Sequence, residues 1–65
     1  THPERAVVVA PSVVVKSTPA TSGTDLFILH EGTRVSTEEE VDGWTEIRIR
    51  DGRVGWVPGK SVEHI

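Results

Sequence analysis

The sequence contains no cysteine, which removes disulfides and thiolate chemistry from consideration and leaves the redox compartment open. No apolar stretch approaches the ~20 residues that span a bilayer. No charged, apolar and small-residue series resembles a secretory signal. Helix-period patterning is also absent, and no window free of turn residues is long enough for a helix of about ten residues. Basic residues are scarce: 7 against 10 acidic ones, for a formal charge of −3. Such a surface repels phosphate backbones and argues against nucleic acid as a ligand. The longest like-charge run, Glu38-Glu39-Glu40, is too short to be an acidic tail. Length is limiting as well, since 65 residues make one domain. A domain this small buries only ~60% of the surface its unfolded chain exposes. Its core supplies a net ~3–5 kcal/mol, and no room remains for a deep substrate cavity. The chain opens Thr1-His2-Pro3-Glu4 without an initiator methionine and reads as a domain cut from a longer protein. Residues 1–5 are expected to form a disordered or tag-like tail and residues 6–65 the single domain.

What is present is β signal. Valine, isoleucine and threonine suit a pleated, half-buried surface. Pro11, Pro19, Gly23, Gly32, Gly43, Gly52, Gly55, Pro58 and Gly59 break the chain every few residues. Ala6 to Val9 reads as a strand, and Val13 to Lys16 as the next or its continuation. Ser17 to Asp25 is a loop rich in Ser, Thr, Pro and Gly. Leu26-Phe27-Ile28-Leu29 is a short apolar run expected to be buried. Gly32 marks a turn before a strand over Thr33–Glu39, and Val41-Asp42-Gly43 marks another. Pro58-Gly59-Lys60-Ser61 interrupts the sheet as one 3₁₀ turn before a last strand, Val62 to Ile65. The predicted core is Val15, Ile28, Val35, Ile47, Ile49 and Val57, with Gly32, Gly43 and Gly52 as turn glycines.

Trp44 to Arg50 alternates best. Thr45, Ile47 and Ile49 fall on one face; Trp44, Glu46, Arg48 and Arg50 fall on the other. Asp51-Gly52 then signals a hairpin. A two-residue turn would pair Arg50 with Arg53 and set Trp56 opposite Ile47. A three-residue loop, Arg50-Asp51-Gly52, pairs Ile47 with Gly55 and Thr45 with Val57. The second register keeps two arginines from facing each other and is preferred. Five to six short strands, one hairpin and no α-helix predict an all-β, closed or nearly closed small barrel, which leaves few edges to aggregate. A closed barrel of this size predicts a monomer.

The chain resembles the bacterial SH3 (SH3b) domains. Val15-Lys16-Ser17, Pro19, Phe27-Ile28-Leu29 and Glu31-Gly32-Thr33-Arg34-Val35 follow that family's order. So do Asp42-Gly43-Trp44 with Ile47, then Gly55-Trp56-Val57. The match runs roughly over residues 13–65 and implies an SH3-like barrel with one 3₁₀ turn near Pro58. The run Val13 to Lys16, then Ser22 to Thr33, is also similar to the C-terminal SH3-like segments of Bacteroidetes tetratricopeptide-repeat proteins of the Bat aerotolerance group. That likeness implies a parent in the bacterial cell envelope, on its periplasmic face, with helical repeats upstream. The expected partners are a protein or a peptidoglycan-type ligand, or the parent's own repeats. No membrane insertion by this segment is expected. Proline-rich-peptide SH3 domains line their groove with aromatics. Trp44 and Pro58 have counterparts there, but Val13 to Ser17 and Ser61 stand where tyrosines belong.

Trp44 begins its strand on the face away from Ile47. It is either a partly exposed anchor or a cap packed on the Ser17–Asp25 loop. Trp56 reads as structural, lying on its sheet neighbours, with an alanine substitution costing ~3 kcal/mol or more. Glu38, Glu39, Glu40 and Asp42 form an acidic edge beside Trp44. That edge is a solvated turn or a rim for an amine-bearing ligand. The candidate binding residues are Trp44, Pro58, Asp42, Glu40 and Asp25. Arg48, Arg50 and Arg53 cluster near the hairpin, too few to define an anion site. His2, His30 and His64 follow no metal-ligand spacing. No nucleophile elbow, phosphate loop or metalloprotease motif is present. The reading is therefore a non-catalytic module with no cofactor and no metal, or else a purely structural end-domain.

Overall fold

A computed structural model describes residues 4–65 as seven strands in one antiparallel sheet of order β3-β2-β6-β5-β4-β1-β7. The strands are β1 (Glu4–Val8), β2 (Ser12–Lys16), β3 (Asp25–His30), β4 (Arg34–Val41), β5 (Trp44–Arg48), β6 (Val54–Pro58) and β7 (Val62–His64), with a 3₁₀ turn over Gly59–Ser61 before the last. The strand count exceeds the expected five to six because the second valine run is a strand of its own, Ser12–Lys16, and not a continuation of the first. Glu4 and Arg5 already belong to β1, so the expected tail gives these two residues to the barrel. Thr1 to Pro3, with His2, lie outside the described residues.

A single sheet can bury a face only by curling onto itself. Val15, Ile47 and Val57 are fully buried, so the sheet wraps around them. Ala6, Val8, Val13, Leu29, Val35 and Val62 complete that core. Two bulges steepen the curl. One falls opposite Val15/Lys16 and skips Leu26; the other skips Glu38 between Thr37 and Glu39. Among the described residues, Thr37, Thr45 and Ser61 are the buried polar side chains. Among the described residues no buried side-chain polar atom lacks a hydrogen bond.

Ile28 does not belong to the core: it is 57% exposed. β3 ends the sheet, and its register sets Phe27 opposite Val15 and Leu29 opposite Val13. Period-two alternation then turns Ile28 and its partner Val14 outward. Leu26, at the bulge, is likewise exposed. Ile49 is only partly buried and packs against the core, because the β5 ladder ends at Arg48. Neither tryptophan enters the core cluster. Trp56 is half-buried on the outer face, between Glu46 and Lys16.

The β5–β6 hairpin takes the three-residue loop. Ile47 faces Gly55 and Thr45 faces Val57, while Ile49 accepts from the Gly52 amide at 2.9 Å. Gly52 holds φ +97°, a left-handed value that L side chains resist. Asp51 anchors this loop. Its carboxylate accepts from the Arg53 amide at 3.0 Å and from Arg53 Nε at 2.8 Å. The Arg53 amide above all holds its pKa below the ordinary aspartate value, against desolvation and with the Arg53 side chain adding to the lowering. A depressed carboxylate stabilises the fold fully above the unfolded value near ~4 and loses that contribution as pH falls through the folded value. Wild type is expected to lose stability relative to Asp51→Asn as pH drops below ~4. Urea melts at pH 6 and pH 3 on both proteins check this; parallel losses in the two would sink it.

Candidate functional site

β4 and β5 meet in a two-residue turn. Asp42 at φ 51° and Gly43 at φ 82° are both left-handed, the conformation of a type I′ hairpin whose twist matches its strands. The turn sets Trp44 opposite Val41 on β4, and on the other side opposite Pro58 on β6. Thr45, one residue on, is buried, so Trp44 points away from the core and stays half-buried. The Gly59 amide donates to Gly43 O at 2.8 Å, which binds the 3₁₀ turn to the hairpin. A Cβ on Gly59 would lie 3.1 Å from that same oxygen, so the close approach suits a residue without one.

A shallow cleft opens at this rim. Glu40, Asp42, Trp44, Gly59, Val62 and His64 line it. Glu40 stands opposite Thr45 and is exposed. His64 Nε2 lies 3.5 Å from Thr37 Oγ1. The acidic edge expected here divides. Glu38, at the bulge, turns to Arg48 at 3.4 Å. Glu39 faces Glu46 across the ladder. Glu40 and Asp42 remain with the indole. The rim thus combines one apolar plate, a proline beside it and two carboxylates, a chemistry suited to a weakly cationic or amine-bearing surface.

Asp25 stands apart from the rim. It ion-pairs with Lys16, whose strand neighbour is Trp56. The same antiparallel register sends the Ser17–Thr24 loop toward Val54, the end of β6 away from Pro58. The loop is closed by its own bonds: Ser17 N to Thr24 O at 2.9 Å and Thr24 N to Ser17 Oγ at 3.1 Å. Packing of this loop over Trp44 is therefore not the arrangement adopted. Ser61, where a groove tyrosine would stand, is buried and cannot form a groove wall. Among the described residues no three His, Cys, Asp or Glu side chains gather as a metal site. No helix of the described residues is long and apolar enough to cross a membrane.

Sequence reasoning also passed over Val14, Leu26 and Val9 as apolar residues with solvent exposure. Their valine and leucine runs carry no alternation to separate the faces.

A family model described as the bacterial SH3 domain matches residues 11–63, most of the chain. No curated protein matches the chain.

Proposed function

The chain belongs to the bacterial SH3 domain family, and from that premise we propose that it is an interaction module that contacts a protein or peptidoglycan-type partner through the rim around Trp44. Bacterial SH3 domains are in general non-catalytic binding modules. The observation that carries the reading is the pairing of Trp44 with Pro58 on the outer face, beside a cleft that also holds Glu40 and Asp42. A half-exposed indole held by a tight hairpin supplies contact area at little entropic cost. The carboxylates beside it favour ligands with free amines, as peptidoglycan stem peptides carry. In this reading the module serves a larger envelope-associated tetratricopeptide-repeat protein, whose repeats are a further partner to try. The buried Ser61 and the absence of tyrosine at the groove positions weigh against proline-rich peptides.

Amide NMR titrations with soluble peptidoglycan fragments, a proline-rich peptide and a repeat segment of the parent test it. Shifts are expected at the amides of Trp44, Asp42 and Gly59, which line the cleft, with the first or the third. Trp44→Ala is expected to weaken that binding ~tenfold or more, the range of an interface anchor, while the amide spectrum stays folded. Silence with all three ligands would favour a structural end-domain instead.

A further inference from the structure

Arg48, Arg50 and Arg53 are neighbours in the sequence, but the fold separates them. Arg53 is engaged by Asp51 and lies over the Phe27 ring, 4.6 Å from its centroid. Arg48 and Arg50 instead meet arginines from two other strands. Ser36 on β4 has Arg5 of β1 on one side and Arg48 of β5 on the other. Two residues back along β4 stands Arg34, opposite Val7, and the Ser36–Arg48 register carried two residues further sets Arg50 beside it. Arg5, Arg34, Arg48 and Arg50 line one open cleft of about 640 Å³, with Val35 and Ile65 among its apolar walls.

Arg48 has Glu38 at 3.4 Å. Arg5, Arg34 and Arg50 form no ion pair with any described side chain. Three uncompensated guanidinium groups therefore share a patch roughly 10 Å across, by strand spacing, on a chain whose net charge is −3. Their fields add at that distance, which is close to the Debye length of about 8–10 Å at physiological salt. The guanidinium fork fits a carboxylate or phosphate in two-point contact.

We propose that this cleft binds an acidic peptide segment in extended conformation, with carboxylates at alternate positions. The two arginine rungs are separated by two residues of β4, roughly 7 Å, and alternate side chains of an extended peptide repeat at the same distance. Ile65, which is exposed, offers apolar wall to an intervening aliphatic side chain. Nucleic acid fits less well. No aromatic ring lines the cleft on which a base could stack, and the chain's net charge opposes a long polyanion. The site is separate from the Trp44 rim: Trp44 and Arg48 lie at opposite ends of β5, roughly 13 Å apart along the strand.

Fluorescence anisotropy of the whole 65-residue chain with a labelled Glu-Val-Glu-Val-Glu peptide, at low salt, tests the assignment. The acidic peptide is expected to bind, and its glutamine counterpart to bind at least ~tenfold more weakly. Arg34→Gln with Arg50→Gln is expected to reduce binding ~tenfold or more, with Trp44→Ala leaving it unchanged. Arg5→Gln, from a different strand, gives a second and independent loss if the double variant folds poorly. Equal binding of both peptides, or indifference to the arginine substitutions, overturns the proposal. Tighter binding of a single-stranded oligonucleotide or of inorganic phosphate also overturns it.

Discussion

Replacing Ile47 by alanine is expected to destabilise the domain by ~4 kcal/mol, within the range for emptying a buried aliphatic site. That loss is about the whole of the ~3–5 kcal/mol net stability of so small a core, so a large fraction of the variant should be unfolded at room temperature. Ile47 has no exposed surface and is among the largest of the fully buried side chains. It stands on β5 opposite Thr37 on one side and Gly55 on the other, both of them buried. Nothing can collapse into the gap without bending several strands. Ile47→Val, expected to cost ~1 kcal/mol, keeps the measurement within reach if the alanine variant cannot be purified. Trp56→Ala provides the comparison. A ring of this size buries ~150–250 Å² when enclosed, but Trp56 is only half-buried on the outer face, so its loss should cost ~2 kcal/mol at ~25 cal/mol per Å². Urea melts of the three variants give the order. A larger loss for Trp56→Ala than for Ile47→Ala would show that the centre of stability lies on the outer face and not in the valine-lined interior.

Gly55→Ala is expected to cost ~2–3 kcal/mol, although it only adds a methyl group. Gly55 is buried and its φ is not left-handed, so the cost is one of space. A Cβ there would lie 2.2 Å from Val15 Cγ1, 3.1 Å from Lys16 O and 3.4 Å from Leu26 Cδ1. Val15 is itself fully buried and cannot turn away. The β2 backbone would have to retreat from β6 at the one bridge that joins them, Lys16–Trp56. A rescue distinguishes this account from a general loss. Val15→Ala removes the methyl that the new Cβ meets, so the double variant should be more stable than the sum of the two single losses by ~1 kcal/mol or more. Thermal or urea melts of the four proteins provide the cycle. Strict additivity would mean that the β2–β6 contact does not set the limit.

Much of this arrangement was legible from residue order. Trp44 to Arg50 alternates cleanly, and Asp51-Gly52 follows with a turn chemistry that left two registers, of which the preferred one set Ile47 opposite Gly55, as in the fold. The turns at Gly32, Gly43 and Gly52 were equally plain, because each glycine closes a polar turn between two β-rich runs. The apolar run Leu26 to Leu29 was not readable in the same way. Four successive apolar residues carry no phase, and only pairing with β2 decided that Phe27 and Leu29 face inward and Ile28 faces solvent. Val8 was missed for the same reason, inside Val7-Val8-Val9.

The candidate surfaces divide along the same line. Asp42, Trp44 and Glu40 lie on one hairpin, so their grouping follows from sequence proximity. Pro58 joins them through the β5–β6 register, which the turn chemistry also implied. Asp25 leaves the group, because its partner is Lys16 on the neighbouring strand. The arginine cleft could not be found from the sequence, since Arg5 and Arg34 reach Arg48 and Arg50 only through the order β5-β4-β1. Alternation and turn residues are local properties, encoded within a few positions of one another, and they determined the strands, most of their faces and the hairpins. Strand order is a non-local property, set by which curling of the sheet buries the most apolar surface. Only the tertiary structure decided which strand became an edge, which valines closed the core and which charges were left side by side.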